Sequence, residues 1–155
     1  MNPKFEIIQP GTGNYEELLE YLKEIDHTHI PSISSRVNLS EWTRKLVDNA
    51  TLFIYRDAGK IVACVADYVK AAPNLSFATH LSCKAQYADF LLGPQLIRKA
   101  IKYEKEYGSS GRIGKVRGSY KALLKFLTGL GFEVIGRSTF PNSNEEELEL
   151  KLIFK

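Results

Sequence analysis

Gln86–Ile97, QYADFLLGPQLI, is the stretch on which the reading of this chain turns. A Gly-Pro pair that launches an amphipathic run marks a helix start after a strand, because proline suits the first helical turn. Backbone amides at such starts cradle phosphate. Yet the residues before Gly93 are Ala88, Asp89, Phe90, Leu91 and Leu92, which bring no second glycine and one negative charge. The stretch is either an anion site or the remains of one.

Working outward, the run from Gly93 to Tyr107 puts Leu96, Ile97, Ala100, Ile101 and Tyr103 on one helical face, and Gly108 ends it. Before it, TLFIYRD (51–57) and KIVACVADYVK (60–70) are β-rich runs joined by a hairpin, and LSFATHLSCK (75–84) is close enough to pair antiparallel with the second. KFEIIQP (4–10) is a strand ended by Pro10. Asn14 then starts a helix with Glu17 three residues on, and Tyr15, Leu18, Leu22 and Ile25 recur at helical spacing. HTHIPSISSRVN (27–38) is a polar connection without periodicity, after which Ser40 is expected to cap a helix carrying Trp42, Leu46 and Ala50. Downstream, RIGKVRGS (112–119) is a strand, YKALLKFLTGL (120–130) a helix stopped at Gly131, and FEVIGRSTF (132–140) and EELELKLIF (146–154) are strands.

A strand feeding a helix and returning to a strand, set among hairpins, predicts an α/β fold, α+β in looser usage. Its core is a mixed, largely antiparallel central sheet flanked by helices. The 155 residues, 44% hydrophobic and 25% charged, suit one domain over residues 1–155. A net charge of +3 spread along the chain is weaker evidence than a basic stripe, and with no aromatic-basic stacking pattern no nucleic-acid partner is expected. Arg112, Lys115 and Arg117 form a basic cluster that a solvated strand face explains as well as phosphate does. The N-terminal MNPKFEIIQP lacks a long apolar core and no run approaches about 18 apolar residues, so no membrane is expected and a cytoplasmic location is. Cys64 and Cys83 lie in apolar runs and read as reduced thiols, and three scattered histidines lack metal-ligand spacing.

The segment ALLKFLTGLGFEVIGR (122–137), with the order of elements, resembles the GNAT superfamily of acetyl-CoA-dependent N-acyltransferases. In that family a helix patterned Ala-Leu-x-x-Tyr-x-x-x-Gly-Phe runs into a strand, and Leu123, Leu124, Phe126, Leu130, Gly131 and Phe132 fit. GKIVACVADYV (59–69) is similar to the family's hairpin strand, and IPSISSRVNLSEW (30–42) to an acceptor-side segment of some members. The resemblance implies a GNAT fold, acetyl-CoA as co-substrate, and transfer to a primary amine of a small molecule or peptide without a covalent enzyme intermediate.

The family's central motif, Gln/Arg-x-x-Gly-x-Gly/Ala, falls on Ala88, Leu91 and Gly93, so one of its three signature positions is kept. The resemblance assigns the pyrophosphate to the backbone of Ala88, Asp89, Phe90, Leu91, Leu92 and Gly93, and thioester polarisation to the backbone near Cys83. Three losses weigh against tight binding. A missing charge-assisted hydrogen bond forfeits about 1.5–3 kcal/mol, and a non-glycine at positive φ costs about 1–2 kcal/mol. A carboxylate about 5 Å from a phosphate charge costs about 3 kcal/mol at an effective dielectric near 20.

The same resemblance puts Leu127 where a thiolate-protonating tyrosine is common and leaves Tyr120 as the candidate acid. It puts His80 where a strand glutamate often serves as base, and histidine suits that task at neutral pH. Strand alternation predicts Ala78, His80 and Ser82 on one face and Thr79, Leu81 and Cys83 on the other. His27 and His29 are expected in solvent. Arg36, with Ser35 and Ser34, is the candidate acceptor-binding group, its fork suited to a carboxylate. The rival reading is a GNAT-like binding or regulatory domain without CoA affinity, its crevice closed by Phe90 or Leu91. Dimerisation through the final strand, as a homodimer, is left open.

Overall fold

Period-2 alternation builds the centre of the sheet. In β2 (Thr51–Asp57), Phe53 and Tyr55 pack to one side and Leu52 and Ile54 to the other, all buried. The computed structural model describes residues 1–29, 31–71, 73–140 and 143–155. The other strands are β1 (Lys4–Ile8), β3 (Lys60–Tyr68), β4 (Leu75–Cys83), β5 (Gly111–Arg117), β6 (Glu133–Thr139) and β7 (Glu146–Ile153). They form one seven-stranded sheet ordered β1-β2-β3-β4-β5-β7-β6, antiparallel except for the β4–β5 pair. Ala58 and Gly59, both at positive φ (51° and 79°), make the tight β2–β3 turn.

Helices cover both faces. On one side, α1 (Tyr15–Ile25) and α2 (Leu39–Asn49) bury Leu18, Leu22, Ile25 and Leu46 against Leu52, Ile54 and Cys64. On the other, α3 (Leu92–Glu106) and α4 (Lys121–Gly129) bury Leu92, Leu96, Ala100 and Leu127 against Phe53 and Val65. Asn14 caps α1 by accepting from the Glu17 N–H at 3.0 Å. The second helix starts earlier than its Ser40 suggests: Asn38 is the cap, accepting from the Glu41 N–H at 3.0 Å, because asparagine satisfies the first-turn amides as well as serine does. The connection before it is less featureless than its sequence, with 3-10 turns at Asp26–Thr28 and Ile33–Ser35 and a buried Ile33; Ile30 lies outside the described residues. Among the described residues no helix is long and apolar enough to cross a membrane.

One irregularity overturns the expected alternation of β4. Ala66 pairs with His80 but Asp67 pairs with Ala78, so Thr79 is a bulge residue without a partner on β3. Asp67 and Ala78 face α3, whereas Ala66, His80 and Ser82 face α1 and α2. Ala78 and His80 are therefore on opposite faces.

The basic cluster is also divided. Arg112 is 4% exposed and bonds Asp67 of β3 and Glu104 of α3, the latter at 3.1 and 3.2 Å. It is a core cation, not a solvated or phosphate-seeking one. Lys115 turns to the opposite face and pairs with Glu147 at 3.8 Å. Burial first, then the Asp67 charge, pushes the Glu104 carboxyl well above the carboxylate range, so Glu104 keeps its proton. Asp67 Oδ1 is buried without a partner among ionised groups; a protonated Glu104 turns the clash of two carboxylates into a hydrogen bond.

Replacing Arg112 by Met leaves buried acids without their cation and should cost about 3–5 kcal/mol in urea unfolding. Glu104 binds its proton more tightly folded than unfolded, so stability falls as pH rises past the usual value of 4.5. Glu104→Gln should flatten that decline between about pH 5 and 9 in melts at each pH.

Candidate active site

β4 and β5 pair only over Leu75–Ala78 and Gly111–Gly114. Beyond that, β4 stays on β3 as far as Cys83 and β5 stays on β7 as far as Arg117, so the two part at their C-terminal ends. A cavity of about 990 Å³ occupies the gap, lined by Ile97, Leu123 and Leu127 from the α3–α4 side and by His29, Trp42 and His80 from the other. The N–H of Lys84 donates to Val62 O at 2.9 Å, so by alternation the amides and carbonyls of Leu81 and Cys83 point away from β3 into the gap. His29 Nε2 donates to Leu81 O at 3.2 Å, on that open side.

His80 lines the cavity. Its Nε2 lies 2.6 Å from Ser82 Oγ, which lies 2.7 Å from the Tyr21 hydroxyl. Burial foremost, then the charges of His29, Arg36 and Arg117, lower its pKa to about 3, so the ring is neutral. His29, expected in solvent, stacks on it with centroids 5.4 Å apart and planes at 19°. Trp42 meets His80 edge-on at 5.3 Å. Burial and Arg117 also lower the His29 pKa below 6.5. With Nε2–H given to Leu81 O, the neutral His29 ring carries its lone pair on Nδ1, 3.4 Å from Thr28 Oγ1, whose own proton goes to Ile25 O at 2.6 Å. Nothing in the polar segment around His29 marks this role; the short 3-10 turn that brings the ring onto His80 is a tertiary feature.

Tyr120 lines the cavity from just before α4, with the Arg117 guanidinium 5.6 Å from its ring centroid. Arg36 and Ser35 line the wall formed by the turn before α2. Ser35 Oγ donates to Ser32 O at 2.6 Å, whereas Arg36 lies over Phe140 at 5.3 Å. Arg117 and Phe140, neither singled out from sequence as acceptor-side groups, complete that wall. The thiols are unsuited to attack: burial pushes Cys64 up to about 12 and raises Cys83 as well.

The Gln86–Ile97 stretch lies beyond the end of β4. Ala85–Phe90 is a 3-10 turn, and α3 begins at Leu92, one residue before Gly93. Leu91 adopts φ 54°, ψ 38°, the left-handed conformation that glycine takes freely, at the position of the motif's first glycine. Its side chain is 64% exposed, while Leu92 is buried in the core. Neither Phe90 nor Leu91 lines the cavity. Gln95 ties the turn down: its Nε2 donates to Phe90 O at 2.9 Å, and its Oε1 accepts from Tyr55 OH at 2.9 Å. Ala88 and Asp89 are exposed.

No protein-family model matches the chain, and neither does any curated protein. Solved structures do. An acetyltransferase of the GNAT family from Streptococcus pneumoniae superposes with a TM-score of 0.75 at 14% identity, over 98% of this chain and 100% of that one. A ribosomal-protein-alanine N-acetyltransferase from Brucella melitensis gives 0.75 at 12% identity, over 97% and 99%. A Bacillus anthracis protein described as a streptothricin acetyltransferase, in complex with acetyl-coenzyme A, gives 0.58 at 22% identity, over 69% of this chain and 64% of its own. The chain has the fold of the GNAT acetyltransferases.

Leu91→Gly should stabilise the fold by about 0.5–1 kcal/mol in urea unfolding, because relief of the left-handed strain outweighs the added freedom of unfolded glycine. The exposed Leu91 side chain has little packing to lose.

Proposed function

We propose that the chain is an N-acyltransferase that moves an acetyl group from acetyl-CoA to a primary amine of a small molecule or peptide by direct attack. The observation that carries this reading is the cavity between two parting parallel strands, with a histidine pair on one wall and a helix start beyond the end of β4. Crevices at the carboxyl ends of parallel strands are where α/β sheets take their ligands.

The residues present fit the co-substrate. The amides of Leu81 and Cys83 offer an extended, amide-bearing arm an edge to pair with, and the first amides of α3 suit a pyrophosphate. The left-handed Leu91 keeps a glycine-like main chain where the motif has lost its glycine. Asp89 is exposed, where water screens its charge. An open gap that Phe90 and Leu91 leave unfilled counts against the reading as a binding module without CoA.

Acetyl-CoA supplies an acyl group activated as a thioester. The N–H of Cys83 or Leu81 polarises its carbonyl oxygen. A neutral base must take the proton that the amine loses as the new N–C bond replaces the C–S bond. We assign this to His29, which lines the cavity, rather than His80, because a ring with a pKa of about 3 holds a proton too weakly. His80 then packs against the base and links it to Ser82 and Tyr21. Tyr120, the only phenol lining the cavity among the described residues, gives its proton to the departing sulfur.

Calorimetric titration with acetyl-CoA tests the reading. The native chain should bind saturably at micromolar Kd, and Leu91→Gly together with Asp89→Arg should bind about tenfold tighter. Binding by the double variant alone would mean a disabled loop, and the enzyme reading would be dropped. In turnover, His29→Gln should lower kcat/KM by about 10²-fold. For the native chain kcat/KM should fall with acid through a pKa below 6.5, because His29 acts as its neutral form and burial lowers its pKa.

A further inference from the structure

A short polar relay runs from α1 to the cavity wall. The Tyr21 hydroxyl lies 2.7 Å from Ser82 Oγ, and Ser82 Oγ lies 2.6 Å from His80 Nε2. All three residues are buried. These three polar groups have no other hydrogen-bond partner among the described residues. Ser82 and His80 are two apart on β4 and so share the face that α1 covers, which is how Tyr21 reaches them.

The number of protons sets the direction of the relay. Burial pushes the Tyr21 phenol well above its usual value, so it keeps its proton, and Ser82 carries a hydroxyl proton of its own. Were Nε2 protonated as well, three protons would compete for the two contacts, and one buried donor would be left unmet. With Nε2 bare, Tyr21 donates to Ser82, Ser82 donates to Nε2, and every proton is placed. The neutral ring then carries its proton on Nδ1. That atom has no partner among the described residues, where Asp67 Oδ1 is the one buried side-chain polar atom that lacks one. Nδ1 is therefore not sealed in the core, and the ring that bears it lines the cavity. His29, stacked on the ring, and Trp42, meeting it edge-on, hold its plane.

We propose that Ser82 is a positioning residue that fixes His80 as its Nδ1–H tautomer, so that the ring presents a permanent hydrogen-bond donor to an acceptor oxygen of the amine substrate. Donor and proposed base belong to one stack, with 5.4 Å between the His80 and His29 ring centroids. An oxygen seated on Nδ1–H therefore brings a nitrogen a few bonds away within reach of His29. An ether, a hydroxyl or a carbonyl near the amine meets this demand. An alkylamine without oxygen leaves the donor unmet, which a site built around a hydrogen bond penalises. The role of the amine rests on the transferase reading; the fixed donor does not.

Long-range proton–nitrogen correlation NMR of the three histidine rings tests the donor, with His80 identified by the loss of its signals in His80→Gln. In the native protein His80 should be a pure Nδ1–H tautomer, unchanged between about pH 5 and 8 because its pKa is about 3. Ser82→Ala should lose the fixed tautomer and show the averaged nitrogen signals of an exchanging neutral ring, and Ser82→Thr, which restores the hydroxyl, should recover it. A native Nε2–H ring, or an unchanged Nδ1–H ring in Ser82→Ala, would overturn the proposal; the native spectrum decides even where a variant misfolds. Two amines of matched length, methoxyethylamine and butylamine, titrated into the native protein, read the ligand side. The ether should bind at least about tenfold tighter and shift the His80 signals; equal binding, or binding of neither, would overturn the oxygen seat. A fixed Nδ1–H ring in a protein that binds no acetyl-CoA would sink the transferase reading and leave the donor; an Nε2–H ring in a protein that binds it would sink the donor and leave the transferase.

Discussion

The parting of β4 from β5 is the constraint on which the rest of the molecule depends. Two parallel strands that share a sheet stay together unless each is held more firmly elsewhere, and here both are. β3 grips β4 up to Cys83 while β7 grips β5 up to Arg117. Gly114 keeps the last paired rung close, since a side chain there would press on Ala78 Cβ at 3.1 Å. Immediately beyond, the Thr79 bulge bends β4 and increases its local twist. A gap then opens where an uninterrupted sheet would have closed, and it leaves the amides of Leu81 and Cys83 unpaired by a neighbouring strand.

The walls of the gap are held by polar groups with opposite solvation. On the α3 side, Asp67, Arg112 and Glu104 form a dry cluster whose geometry holds β3, β5 and α3 together. A buried ion cluster of this kind contributes little net stability against an apolar substitute, yet breaking it is costly, so it constrains geometry more than it raises the melting point. On the α1–α2 side, the polar groups line a cavity instead. Burial there leaves His80 and His29 neutral. Desolvation thus accompanies paired charges on one face and neutral imidazoles on the other.

Features that rest on local interactions were legible in the sequence. Asn14 before Glu17, the Ala58–Gly59 turn and the alternation of β2 and β7 all follow from neighbours in the chain, and they suffice for the order of elements and the mixed sheet. Features that arise from pairing were not. The Thr79 bulge depends on where β3 commits its register, so strict alternation put Ala78 beside His80 on the wrong face. Arg112 looks like any basic residue in a strand until Asp67 and Glu104, 45 and 8 residues away, are placed around it. His29 sits in a polar segment whose fold is set by the ring it packs on. Leu91 is the subtlest case. The side chains of the Gln86–Ile97 stretch depart from the motif at two of three positions, yet its main chain keeps the left-handed turn.

A gap in a sheet belongs to neither of its faces, and this has a kinetic consequence. Residues of both layers line the cavity, α3 and α4 from one side and the α1–α2 layer from the other. If the transfer proposed above takes one substrate from each layer, the two would meet at the strand edge, and a complex of both with the protein would assemble by either route.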